Sequence, residues 1–448
     1  MGKSVKREVA TVLCLLLLAN ILLILFQHPL TFNHGQGWDG YWYYTIASQF
    51  SLHQPIISEA PFIYRVGFTF LVGALFPNNL LQGFFVINLV ASIVATFLLM
   101  IWLRFYIDNW IVRCILIGMY LAHAMGPMRI AYFYPTLNEG LPVVFTLLGL
   151  IFIHLWQQRK SIKFFVLLSL VSALGVFFRE SIILIPFVNM LATWTNWYRN
   201  KDQSKKDLWI SPLPFLLSLA IIFLIRNLVT SHNNYSLLGD LVYWLYTKPL
   251  PAYFHAYFVA VGPILVILVF EWKAVVDFLK KYTYNFFYLV ILCLLSWVIG
   301  SDTDRFIFWA VPVWYILIGI ALQRLWPLLT RSWLILVLIF VFQGLEENVF
   351  RPLPDYAPEK ITYRIPLLSV VCNEGCLMDF SSYNSLSGSG INTAGCSMVP
   401  CTYDGNFFPF RLYLLLENIV AALIIAYSIM SAKRRWRNQP MIVASAWE

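Results

Sequence analysis

Charge is what this sequence has least of. Only 12% of its 448 residues are Asp, Glu, Lys or Arg, against about a quarter in a soluble globular domain. A charged shell around one apolar core is therefore excluded. The apolar runs are too long for barrel strands, and open sheets or loops cannot satisfy their backbone in lipid. No small-residue cleavage site follows the first run, Val9 to Phe26, so it reads as a retained helix rather than a signal peptide. No internal repeat of the kind that marks many transporters is visible.

What is present is apolar and aromatic: 60% hydrophobic residues, with 36 Phe, 24 Tyr and 17 Trp. Runs of about 20 apolar residues recur, each able to cross roughly 30 Å of hydrocarbon. The expectation is an all-α polytopic membrane protein with about twelve transmembrane helices. They fall near 9–27, 80–103, 110–126, 139–156, 164–178, 181–196, 208–226, 254–272, 284–300, 305–323, 332–344 and 411–432.

The net charge of +9 is not a nucleic-acid signal, because its distribution follows the spans. With the basic N-terminus in the cytoplasm, 21 of the 31 Lys and Arg fall in inner loops and tails, including Arg104, Arg113, Lys273, Lys280, Lys281 and Lys433. Both termini are then cytoplasmic, and a bacterial cytoplasmic membrane is expected rather than that of the endoplasmic reticulum. Residues 62–76 are apolar but short and contain Arg65; counting them as a span would reverse every later loop. They and the aromatic stretch WDGYWYYTIASQF read as two interfacial helices.

Three regions follow: a transmembrane bundle over 1–344 that includes a first outer loop at 28–79; a polar outer loop over 345–410; and a last helix with a basic tail over 411–448. The polar loop holds Cys372, Cys376, Cys396 and Cys401. An even number in an outer loop suggests two disulfides, with three connectivities open. Free thiols and a metal site rank behind, since no His lies between residues 346 and 410 and the spacing fits no common zinc pattern.

The scarce ionisable residues gather at outer span ends: Asp39, Glu59, Arg65, Arg129, Glu139, Arg179, Glu180, Asp302, Asp304 and Arg305. Each costs roughly 2.5–3.5 kcal/mol if drawn into the membrane, so each is a functional candidate. Asp39 stands between glycines in GWDGYWYYTIA, where a ligand can approach the backbone and stack on aromatic faces; a helix cap is the plainer reading. Arg65 follows Tyr64. Arg129 sits near the start of GPMRIAYFYPTLNEG and Glu139 near its end, Arg179 and Glu180 sit in FFRESIILIP, and Asp302, Asp304 and Arg305 in GSDTDRFIFWAVP. Guanidinium forks suit phosphate, and structural ion pairing is the alternative for each pair. Recurrence at four turns favours one shared phosphate-binding cleft.

An N-terminal span, then WDG with an aromatic helix, then Tyr64-Arg65, resembles the GT-C superfamily of integral membrane glycosyltransferases. The nearest likeness is to the PIG-V type of mannosyltransferase and its bacterial relatives; FRESIILIP and DTDRFIFWAVP resemble Arg-Glu and Asp-x-x-Arg turns of bacterial members. The resemblance implies sugar transfer from a polyprenyl-phosphate carrier to a glycan, lipid or protein acceptor at the outer face. It makes Asp39 the catalytic acid of the first loop and Arg65, Arg179 and Arg305 ligands of the carrier phosphate. Where some members have a second acid, this chain has Tyr41, so no metal or other cofactor is expected. The rivals are a secondary transporter and a flippase or polymerase of lipid-linked glycans. The sharpest expectation is geometric: Asp39 and at least two of Arg65, Arg129, Arg179 and Arg305 should line one cavity.

Overall fold

A computed structural model describes residues 3–199, 204–233, 236–248, 250–299, 303–347, 349, 361–362, 377–378 and 408–437. Every described element longer than two residues is helical, so the chain is all-α. Among the described residues seven helices are long and apolar enough to cross a membrane, or up to nine if each of two bent pairs is one span. The protein is therefore polytopic.

The first half runs α1 (Lys3–Phe26), α2 (Asp39–Ser51), α3 (Val66–Leu75), α4 (Leu80–Arg104), α5 (Trp110–Ala122), α6 (Pro127–Phe133), α7 (Gly140–Arg159), α8 (Ile162–Gly175) and α9 (Leu184–Arg199). Then come α10 (Lys205–Ile210), α11 (Leu213–Leu228), α12 (Leu237–Thr247), α13 (Leu250–Val261), α14 (Ile267–Phe270), α15 (Trp272–Lys281) and α16 (Thr283–Val298). The chain ends with α17 (Thr303–Phe308), α18 (Val311–Arg331), α19 (Trp333–Glu346) and α20 (Phe408–Arg437). The core is the apolar seam of α4, α5, α7 and α18, where Trp102, Leu116, Leu150 and Ile318 are wholly or almost wholly buried.

Twelve crossings are not established. The expected spans at 164–178 and 332–344 correspond to α8 and α19, of 14 residues each; at 1.5 Å per residue these reach roughly 21 Å, short of the hydrocarbon thickness. The expected span at 254–272 is broken. Tyr253–Val261 and Pro263–Phe270 meet at 99° around Gly262, whose φ of +91° suits glycine and whose added Cβ would lie 1.9 Å from Gln343 Oε1. The expected span at 284–300 is preceded by α15 at 108° to α16. Ala274 and Phe278 bury one face of α15 while Lys273, Lys280 and Lys281 occupy the rest, the pattern of a helix lying along a membrane surface.

The two short helices expected between the first spans are present as α2 and α3. Gly40, Tyr43, Ile46 and Ala47 share the buried face of α2, and a Cβ at Gly73 of α3 would stand 2.5 Å from the Ala47 carbonyl, so the helices pack backbone to backbone. The loop cysteines Cys372, Cys376, Cys396 and Cys401 lie outside the described residues, as does Asp302.

Candidate functional site

Three turns far apart in sequence are drawn together by one carboxylate. Glu139 immediately precedes α7, and Asn88 of α4 positions that turn by donating to the carbonyls of Pro135 (2.7 Å) and Leu137 (2.9 Å). Glu139 Oε1 accepts from Arg179 Nη1 at 2.8 Å and from Arg305 Nε at 2.6 Å, and Oε2 accepts from Trp309 Nε1 at 3.2 Å. The Arg179 guanidinium also lies 4.1 Å over the Trp309 ring and donates to the Asn138 carbonyl at 3.0 Å. Burial alone would raise the Glu139 carboxyl, but Arg179 and Arg305 overcome it and hold the pKa down to about 2.

Arg305 extends the network to the first loop, with Nη1 3.7 Å from Asp39 Oδ2. Asp39 is in the first turn of α2, after Trp38 at the cap position, so it is not the capping residue but still favours the helix N-terminus electrostatically. Arg65 sits beside this group: its Nε donates to Glu180 Oε2 at 3.0 Å and its Nη1 to the Tyr43 hydroxyl at 2.5 Å. Gly67 N–H donates to the Phe177 carbonyl at 2.8 Å, tying α3 to the Arg179 turn.

Exposure grades across the set. The Asp39 side chain is 38% exposed, Glu180 22%, Arg65 14% and Arg305 13%, whereas Glu139 and Arg179 fall to 6% and 5%. The first four are the side chains a ligand can reach. Arg179 and Glu139 are the buried frame that fixes Arg305.

Other candidates fall elsewhere. Arg129 of α6 is buried with Gln27 and Glu347, its Nη1 donating to the Glu347 carbonyl at 2.6 Å, a different partner set from that of Asp39. Tyr64 turns away to stack with Arg226 at 5.0 Å. Glu59 belongs to the segment beside β1 (Ile57–Ser58), which pairs with β2 (Thr230–Ser231). Asp304 is half-buried in the first turn of α17. Among the described residues no three His, Cys, Asp or Glu side chains are grouped to hold a metal ion.

The glycines around Asp39 do a different job from the expected ligand approach. A Cβ at Gly40 would stand 1.9 Å from Thr136 Oγ1, and one at Gly37 (φ +70°) 2.2 Å from the Tyr134 ring. Gly40 N–H also donates to the Tyr134 hydroxyl at 2.8 Å. The loop before α7 fills the space, fixing the start of α2 and thereby Asp39. Gly40→Ala is expected to cost about 1–3 kcal/mol by overpacking, read as a lower melting temperature in detergent. An unchanged melt would show that the Tyr134–Thr136 loop yields.

Sequence reasoning had not singled out Tyr43, Asn88, Tyr134 or Trp309. Tyr43, Tyr134 and Trp309 lie within the motifs quoted above and Asn88 within the α4 span, but no spacing announces a contact across 94 or 170 residues. The chain matches no protein-family model, and no curated protein matches it.

Proposed function

We propose that the chain is a GT-C-type glycosyltransferase moving a sugar from a polyprenyl-phosphate carrier to a glycan, lipid or protein acceptor. It would cross the membrane twelve times, with both termini cytoplasmic and the Asp39 network at the outer face. The carrying observation is the convergence of Asp39, Arg305, Glu139 and Arg179, brought to one place by contacts as distant in sequence as that of Arg305 with Asp39, 266 residues apart. A scaffold without a shared site has no need to gather its scarce charges so.

In this reading Asp39 accepts the proton of the acceptor hydroxyl as that oxygen bonds to the anomeric carbon. The bond from that carbon to the carrier phosphate breaks, the phosphate leaves with the electron pair, and the anomeric centre inverts. Arg305 and Arg65, the reachable guanidiniums, meet the departing charge. In the resting network Arg305 meets Asp39 only through a long 3.7 Å contact, so a phosphate that draws Arg305 toward itself frees Asp39 as the donor binds. Accumulation of one sugar-charged carrier on inactivation, seen by mass spectrometry of lipid-linked sugars, tests this reading; an unchanged carrier pool would sink it.

Arg305→Lys keeps the charge but cannot reach Glu139 and Asp39 with two arms of one fork. Donor KM is expected to rise about tenfold, the scale of one charged hydrogen bond, in a folded protein. An unaltered donor KM would leave Arg305 as a structural ion-pair partner.

One observation favours a second reading, that of a secondary transporter. The helix broken at Gly262 ends beside His123 and Glu347, with His123 Nε2 2.8 Å from the Ala260 carbonyl and 3.3 Å from Glu347 Oε1, and broken helices with polar companions are where transporters hold solutes. Solute counterflow in sealed vesicles separates the two readings.

A further inference from the structure

The part of α15 turned away from the bundle is itself two-sided. Ala274 and Phe278 face inward and are buried. Glu271, just before the helix, moors its start, lying 4.0 Å from Arg324 of α18 and 3.4 Å from Lys433 of α20. At the helical period, Trp272, Val276 and Leu279 form an apolar stripe beside that inward face. Trp272 is 57% exposed, and Val276 and Leu279 are half-buried. Lys273 and Lys280 border this stripe, with Asp277 and Lys281 beyond them, and all four are exposed.

The charges on this side do not cancel. Three lysines against the single carboxylate of Asp277 leave the helix at +2. Lys273 lies 6.0 Å from the Trp272 ring and Lys281 5.3 Å from that of Tyr282, but among the described residues none of the three lysines is in an ion pair. Since α15 stands at 108° to α16, it runs along a bilayer surface wherever α16 crosses the bilayer. At that depth an exposed Trp and its apolar neighbours sit among acyl chains, and lysine stems reach up to the phosphates. Uncompensated lysines there attract acidic lipid in particular. A second copy meeting this side about a two-fold axis would set lysine against lysine.

We infer that α15 is a docking surface for anionic phospholipid: Trp272, Val276 and Leu279 rest among the acyl chains while the acidic head groups face Lys273 and Lys280. None of these residues belongs to the Asp39 network, so the surface stands or falls independently of the transferase reading.

The test uses the full chain in mild detergent, offered phosphatidylglycerol and phosphatidylcholine of equal chain length, with bound lipid counted by native mass spectrometry. The unaltered protein is expected to retain phosphatidylglycerol in preference to phosphatidylcholine. Lys280→Gln should lower that preference about fivefold, the worth of one lysine near a bilayer surface, and Lys273→Gln combined with it should lower it further. Asp277→Asn, which removes the opposing charge, should raise it, and covers the case in which the lysine variants do not fold. Equal retention of the two lipids by the unaltered protein overturns the inference, as does a preference that all three substitutions leave unchanged. A dimer in the same spectra that Trp272→Asp disperses would give the stripe to a second copy and overturn its assignment to lipid.

Discussion

Glu139→Gln is expected to destabilise the protein by about 3–5 kcal/mol, because it removes one member of a buried ionic group and leaves its partners charged. Arg179, 5% exposed, and Arg305, whose Nε lies 2.6 Å from Oε1, would then meet a neutral amide oxygen in place of their shared carboxylate, and the new amide NH2 would face another donor, Trp309 Nε1. Thermal melting in detergent measures the loss, and an unchanged melting temperature would falsify the claim that this carboxylate holds the turns together. The double variant Glu139→Gln with Arg179→Met should recover part of the loss, since no buried charge is then left on α9's approach. The same carboxylate sets a pH dependence. Its folded pKa is depressed to about 2, so its stabilisation is complete above the ordinary carboxylate value near 4.3. It fades as pH falls from there through about 2. Glu139→Gln should flatten that acid limb.

Asp39→Asn should lower sugar transfer by about 10²–10⁴-fold, the usual contribution of a positioned base, with little loss of stability. The change is isosteric, the side chain is more than a third exposed, and its contact to Arg305 is long at 3.7 Å. Stability and transfer should therefore part company between Asp39 and Glu139. The measurement is initial rate with a polyprenyl-phosphate sugar, beside a melting curve of the same preparation. Undiminished transfer by a folded Asp39→Asn protein removes Asp39 from the chemistry.

Much of this architecture was legible because charge is so scarce. Placing Asp39, Glu139, Arg179 and Arg305 on one side followed from the order of apolar runs, and the structure does bring these four together. Arg129 has other partners, Gln27 and Glu347. The GPMRIAYFYPTLNEG segment looked like one short turn, whereas α6 within it sends Arg129 to Glu347 and lets Tyr134 reach Gly40. Hydropathy alone also could not see the bend at Gly262, because a window average runs through a single residue, although the Gly262-Pro263 pair is a breaker signal. The lysines of WKAVVDFLKK suggest an inner loop, whereas its apolar residues recur at the helical spacing that α15 adopts. Contacts such as Trp309 with Glu139 had no local signature at all.

The shared carboxylate has a consequence for how the chain is made. Helices enter the membrane in order during synthesis, and Arg179 follows Glu139 by 40 residues while Arg305 follows it by 166. An early intermediate would thus hold the Glu139–Arg179 pair alone, with the second lone pair of Oε1 and the whole of Oε2 awaiting α17 and Trp309. Arrival of Arg305 would complete the network and add the last contact to Asp39, whose helix start Tyr134 and Thr136 already fix. The nascent chain would then complete this charge network only after α17 is made, so through most of synthesis Glu139 would rest on Arg179 alone.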